Sequence, residues 1–283
     1  MNKIKNPPIY DLVSDYKVNI ESISHVNPYN FNEFHRHNYY EVLVFEKGGG
    51  YQQIDFNRIP IRDYSCYIVK PGQIHLVRKA TKADGILIQF TETMILSDVF
   101  LSALSFLKPI SSSEVLFEQD KNLTKELLYL IQSINLLQDK KAYFFKEKTA
   151  HLLSNLLYYL EESSPNFDTK EQSVNGMLAY RFTELVALNL NSISINEYCK
   201  ELNISNKKLA FLVKEQLNTT PLKYIHSILL LGIKRDMVFK ELSFKEIAFN
   251  YNFDSSSNFS IFIKKHTGKT PSQLQTILSQ IRS

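Results

Sequence analysis

The chain has 283 residues, is 44% hydrophobic and 22% charged, and carries a formal net charge of +4. That composition supplies apolar surface for about two packed domains and excludes a disordered, fibrous or polyanionic chain. Neither an apolar signal core in "MNKIKNPPIYDLVSDYK" nor any apolar run of membrane-spanning length is present, so a cytoplasmic protein without membrane contact is expected.

The charge is unevenly placed. From residue 166 onward there are 15 Lys and Arg against 10 Asp and Glu, while the remainder holds 18 against 19. The positive excess sits in the C-terminal half, as a polyanion-binding half requires. Cys66 and Cys199 lie far apart and fit small buried hydrophobes in a reducing compartment, not a disulfide framework.

Residues ~18–93 read as short strands broken by turns, the pattern of a β-barrel or sandwich. Apolar runs flank Gly48-Gly49-Gly50, a hairpin signal. "YSCYIV" runs into the turn "KPGQ", and "GILIQF" is a buried strand. The Gly-rich "KGGGYQQ" lacks the Lys-Ser/Thr and helix start of a phosphate cradle. No G-x-S-x-G, P-loop or C-x-x-C is present either, so no enzyme is expected.

Residues ~94–162 change period. Leu123, Leu127, Leu130, Ile131, Ile134 and Leu137 recur at three and four, as do Phe145, Leu152, Leu153, Leu156, Leu157 and Leu160. Two amphipathic helices follow, joined near "QDKK". Their stripes either cover the β domain or form a dimer interface. "EESSPNFDTKEQS" (161–173) is polar and aperiodic and reads as a linker.

The last ninety residues contain a repeat. "SINEYCKELNISNKKLAFLVKEQLNTTP" (194–221) matches "SFKEIAFNYNFDSSSNFSIFIKKHTGKTP" (243–271). Ser194/Glu197 and Ser243/Glu246 are capping boxes, in which hydroxyl and carboxylate satisfy free donors at a helix start. Each is followed by a short helix, a turn, a second helix with Leu209 and Val213 against Phe259 and Ile263, and Thr-Pro. Two such copies fit tandem helix-turn-helix units. In this unit the second helix lies in the major groove. Its outward side offers Asn206, Lys207, Ala210, Phe211 and Lys214 in the first copy. In the second it offers Ser255, Ser256, Ser257, Asn258, Ser260, Ile261, Lys264 and Lys265. Asn and Ser can bond base edges, and Lys can neutralise phosphate.

The second copy resembles the signature of AraC/XylS-type transcriptional regulators. Ile247, Ala248, Phe253, Ser257, Phe259, Lys264, Lys265, Gly268, Thr270 and Pro271 stand where that signature places them. The likeness covers roughly 174–276 and implies seven helices, with "GIKRDMVFKEL" in a long helix joining the units. It departs at Asn252, which replaces the turn glycine, and at Ile263, which replaces a Phe. Positions where the family often carries base-reading Arg hold Phe211, Ile261 and, in the linking helix, Leu229 or Leu230. Phe211 and Ile261 can touch a thymine methyl but cannot hydrogen-bond a base.

In the N-terminal half, "FHRHNYYE" sets His35, His37, Tyr39 and Glu41 on one face of an unbroken strand, and "KPGQIH" adds His75. This resembles the two cupin motifs, although the first motif's flanking Gly is missing and the second's early Gly is replaced near Asp63. The resemblance implies an effector pocket lined by His35, His37, Tyr39, Glu41, Tyr51, Gln53, His75 and Gln89. It also makes His35, His37, Glu41 and His75 the candidate ligands if a metal binds, though no metal or other cofactor is expected. His25, His151, His226 and His266 have no partner by spacing.

The expected architecture is α+β. Residues 1–95 form a cupin-like β-barrel that senses an effector, 96–165 a helical linker and dimerisation pair, and 166–283 an all-α DNA-binding domain with tandem helix-turn-helix units. The resemblance implies double-stranded DNA, a small effector such as a sugar, a second copy of the chain and RNA polymerase as partners. Two rivals stay open: a metal-dependent cupin enzyme fused to a DNA-binding domain, and a constitutive DNA-binding protein with a scaffold-only barrel.

Overall fold

The structure is a computed structural model that describes residues 7–11, 18–23, 33–94, 115–139, 143–163, 174–190 and 194–281. Most of the expected linker, and His25, lie outside these residues, and Glu161–Ser163 close a helix instead. The chain divides into two compact units, one spanning Pro8–Glu171 and the other built on Gln172–Ser283.

The described residues of the first unit form ten strands: β1 Ile9–Tyr10, β2 Asn19–Ser22, β3 Arg36–His37, β4 Tyr40–Lys47, β5 Gly50–Ile54, β6 Asn57–Pro60, β7 Ser65–Val69, β8 His75–Lys79, β9 Asp84–Phe90 and β10 Val115–Phe117. They form a five-stranded sheet in the order β10-β7-β4-β9-β2, a three-stranded sheet β6-β5-β8 and a parallel pair β1-β3. One core joins the two larger sheets, with Leu43, Phe45, Tyr67, Val69 and Leu87 from one and Ile54 and Val77 from the other.

The expected barrel is not closed among the described residues. Both edges of β4 are occupied, by β7 and β9, so β5 pairs with β6 and β8 instead. Gly48-Gly49-Gly50 therefore carries the chain from one sheet to the other and does not close a β4–β5 hairpin. Gly49 (φ 122°) and Gly50 (φ 87°) make that departure possible, and a Cβ on Gly50 would overlap the Arg78 carbonyl.

Among the described residues two helices pack with these strands, α1 Lys121–Asp139 and α2 Phe145–Ser163. They pack on each other, α1 against β4 and β9, and α2 against β10. Leu127, Ile131, Ile134, Leu153, Leu156, Leu157 and Leu160 are fully buried, as are Val42 and Val44 on β4. The leucine-rich stripes are thus occupied within the chain, and Tyr129 and Leu136 are the large apolar residues that α1 leaves exposed.

The described residues of the second unit form seven helices: α3 Val174–Leu188, α4 Ile195–Glu201, α5 Asn206–Leu217, α6 Pro221–Phe239, α7 Phe244–Asn250, α8 Ser256–Thr267 and α9 Pro271–Ile281. The repeat is visible in its backbone. Asn203 (φ 52°) and Asn252 (φ 54°) take the left-handed turn after α4 and α7, and Asn218 and Gly268 do so after α5 and α8. Asn tolerates this region, which is why the turn survives the loss of glycine at 252. Thr220 and Thr270 accept from the backbone three residues on, with Pro221 and Pro271 opening the next helix. The capping boxes differ. Ser243 and Glu246 bond reciprocally, at 2.7 and 3.2 Å, whereas the Ser194 side chain makes no cap bond.

Candidate functional sites

The buried polar cluster of the first unit is built where three strands meet. β4 alternates, so Glu41 shares the inward face with Leu43 and Phe45, and on β9 Gln89 shares it with Leu87. On β8, His75 lies on the same face as Val77. The strand expected to carry all of "FHRHNYYE" is broken between β3 and β4. His35 bridges His75 through backbone bonds of 3.0 and 2.9 Å, and this brings the first motif to the second.

The rings converge. His35 and His75 have centroids 4.1 Å apart, His37 and His75 4.8 Å, and Tyr39 stacks on His37 at 4.0 Å. The His37 Nδ1 donates to the Tyr39 carbonyl at 2.7 Å, which turns the lone pair of Nε2 inward. Gln89 donates to Glu41 Oε2 at 2.6 Å and accepts from Asn19 at 2.8 Å, so Glu41 Oε1 is the carboxylate oxygen left over. His75 Nε2 stands 3.5 Å from it without forming a hydrogen bond. His37, Glu41 and His75 are at most 1% exposed. Burial, with the neighbouring His75, lowers His35 to about 4 and His37 to about 3; burial also lowers His75 to about 4. All three imidazoles are therefore neutral near pH 7.

Donor atoms of His37, Glu41 and His75 all lie within 4.8 Å of one another. Tetrahedral ligands about 2.1 Å from an ion sit about 3.4 Å apart, so the trio would hold a divalent ion once its widest pair draws in by about 1.4 Å. Two imidazoles and a carboxylate suit a first-row transition metal.

The other expected pocket residues part company on β5. Ile54 is in the core, and Gln52, two residues away, shares its face. Tyr51 and Gln53 take the opposite face, where the Arg58 guanidinium lies 3.5 Å from the Tyr51 ring centre. Gln52 was not singled out from sequence, although strand alternation counted back from Ile54 points to it. It is fully buried, and neither amide atom has a hydrogen-bond partner. Register sets Gln52 opposite Val77 and Ile54 opposite His75, so Gln52 is the diagonal neighbour of His75.

In the second unit, α5 and α8 each follow a serine N-cap, Ser205 and Ser255, whose oxygens accept from the third backbone N–H beyond. Leu209, Val213, Phe259 and Ile263 are fully buried. Asn206, Lys207, Ala210, Phe211 and Lys214 are exposed, as are Ser255, Ser256, Ser257, Asn258, Ile261, Lys264 and Lys265; Ser260 is half-buried. Ser260 donates to the Ser256 carbonyl and Asn206 to Asn196, so both are held in place. Leu229 is buried and Leu230 half-buried in α6. His226 and His266, unpartnered by spacing, meet with ring centres 4.8 Å apart beside Phe262.

Residues 198–277 match a family described as "Helix-turn-helix domain". This segment runs from within α4 to within α9. Over 255 residues, 85% of this chain and 86% of the relative, the chain is 20% identical to the HTH-type transcriptional activator RhaS of Escherichia coli O81 (strain ED1a). Among solved structures it is similar to ToxT from Vibrio cholerae, at 16% identity and TM-score 0.38 over 93% of this chain and 98% of that one. It is also similar to the AraC-like transcriptional activator CuxR, at 18% identity and TM-score 0.35 over 70% and 68%. No described helix is long and apolar enough to cross a membrane.

Proposed function

We propose that this chain is an AraC-type transcriptional activator whose second unit binds double-stranded DNA and whose first unit binds a small effector. The observation that carries the reading is the register-matched pair α4–α5 and α7–α8 within the helix-turn-helix segment. Each second helix buries one side and turns polar, basic and apolar residues outward. Read this way, the chain holds two helix-turn-helix units, with α5 and α8 as the groove-reading helices. Lys264 and Lys265 would contact phosphate. Their double substitution by Ala should lower the slope of log affinity against log salt by about 1.8 on a random-sequence duplex. Unchanged affinity and slope would refute the assignment.

The effector reading rests on the convergence of His37, Glu41, His75 and Gln89, with His35 and Tyr39 behind them and Gln52 added. Tyr51 and Gln53, on the opposite face of β5, are left out. A small polar compound, a sugar among them, suits these groups. By linkage, an effector that changes DNA affinity must itself bind differently when operator DNA is present. Equal effector affinity with and without operator would leave the first unit as a scaffold. The chain acts as a regulator in this reading, and no catalytic step is assigned to it.

A second reading has its own support. His37 Nε2, His75 Nε2 and Glu41 Oε1 are buried, close together and without hydrogen-bond partners. A divalent metal held by His37, Glu41 and His75 satisfies all three, and its charge would hold or polarise an effector. Metal content of untagged protein, measured beside His37→Gln, decides the matter. A near-stoichiometric ion lost in the variant supports the metal; none in the wild type restricts the site to organic effectors.

A further inference from the structure

Two histidines of the second unit meet where no motif calls for them. His226 stands in the second turn of α6, and His266 in the last turn of α8. Their ring centres are 4.8 Å apart. Phe262, one turn before His266, has its ring centre 4.4 Å from that imidazole and 5.3 Å from His226, and Phe253 packs on Phe262 at 5.3 Å. The two imidazoles thus stand against an aromatic wall, His226 half-buried and His266 exposed. The helix itself does not need a histidine there. The same count from the N-cap serine gives His266 on α8 and Gln216 on α5.

The spacing is that of two ligands on one ion. Imidazole nitrogens about 2.1 Å from a divalent transition metal, with ring centres about 1.1 Å behind them, put those centres about 4.5–5.2 Å apart as the angle at the ion runs from about 90° to tetrahedral. His266 is exposed and its outer torsion is soft, so its ring can turn a nitrogen towards the ion. Burial, then His266 and Lys265, holds His226 below the usual imidazole pKa; burial, then Lys265, does the same to His266. Each therefore offers a free lone pair near pH 7. Lys264 and Lys265 repel a cation, but the last-turn carbonyls of α8, the negative end of its dipole, attract one.

We propose that His226 and His266 form a divalent transition-metal site that ties α8 to α6. Neutral imidazoles select zinc, copper or nickel over magnesium or calcium. Two protein ligands leave the other positions to water, so this ion exchanges with solution. α6 joins the two helix pairs, and the ion locks the second pair onto it. Free metal at a hundred times its Kd shifts the unfolding equilibrium of the unit about a hundredfold towards the folded state. The site stands apart from the DNA-binding and effector readings and survives the failure of either.

The test titrates Zn2+ calorimetrically, near pH 7, into the full chain carrying His37→Gln, so that the buried cluster of the first unit lacks a ligand. The expected result is one ion per chain. Adding His226→Gln or His266→Gln leaves a single imidazole and should weaken binding by about a hundredfold. His151→Gln, at an exposed histidine of α2, should leave binding unchanged. With Cu2+ in place of Zn2+, electron paramagnetic resonance should show coupling to two imidazole nitrogens, and to one in either variant. His266 is exposed, so its variant should fold even if His226→Gln does not. No saturable binding of either ion, an affinity that His266→Gln leaves unchanged, or an equal loss with His151→Gln overturns the inference.

Discussion

Gln52 is the place where stability and effector binding should part. Its side chain is fully exposed to neither water nor a partner, since it is 0% accessible and neither amide atom is hydrogen-bonded. It faces the same interior as Ile54, opposite Val77. A buried amide left unsatisfied costs about 1–3 kcal/mol, and an apolar side chain of similar shape removes that cost. Gln52→Leu should therefore stabilise the first unit by about 1–3 kcal/mol, raising its melting temperature by roughly 2–4 °C per kcal/mol for a unit of this size. Differential scanning calorimetry is the measurement. Gln52→Met, longer and more adaptable, controls for packing. The same substitutions should weaken the effect of the effector on DNA affinity if Gln52 touches it. Destabilisation of about 1 kcal/mol or more in both variants would falsify the claim that this amide is unpaired.

Further expectations follow from the helix starts, a turn and the histidines. Ser243→Ala breaks a reciprocal capping box and should cost about 1 kcal/mol in urea unfolding, whereas Ser194→Ala, which removes no cap bond, should be close to neutral. Asn252→Ala places a Cβ-restricted residue at φ 54° and should cost about 1–2 kcal/mol, while Asn252→Gly should not. The three buried histidines have folded-state pKa values of about 3–4, below the unfolded value near 6.5. The unfolded chain thus binds more protons once pH falls below about 6.5. Stability is full above that pH and declines towards pH 4, by up to about 1.4 kcal/mol per pH unit for each histidine. His37→Gln should flatten that decline; an unchanged slope in the variant would show that other groups cause it.

Much of the second unit was legible in the residues themselves, because its determinants are local. N-cap serines, Thr-Pro helix starts and a left-handed Asn act within one or two turns of chain, and the repeat displayed them twice. Phe259 and Ile263, four apart, declare a buried helical face without reference to any distant element. One local signal misled: Ser194 and Glu197 have the spacing of a capping box, yet the Ser194 side chain makes no cap bond.

The first unit was decided by pairing between distant strands, and there local pattern fell short. Gly48-Gly49-Gly50 correctly marked a reversal of the chain, but whether β5 returned to β4 depended on β7 and β9 already holding both edges of β4. Spacing nominated His35, His37, Glu41 and His75, and the fold does bring them into one buried cluster. Only the tertiary structure shows which face of β5 points inward, with Gln52 and Ile54 on it and Tyr51 and Gln53 on the other. Only it brought His226 beside His266, forty residues apart. Sequence by itself determined the helices of the repeat, most of their caps and most of the outward-facing residues of α5 and α8, since each depends on neighbours within a turn. Sheet order, the inward face of β5 and the closed polar cluster depend on which distant backbone edges are free to pair, and that is set when the whole unit folds.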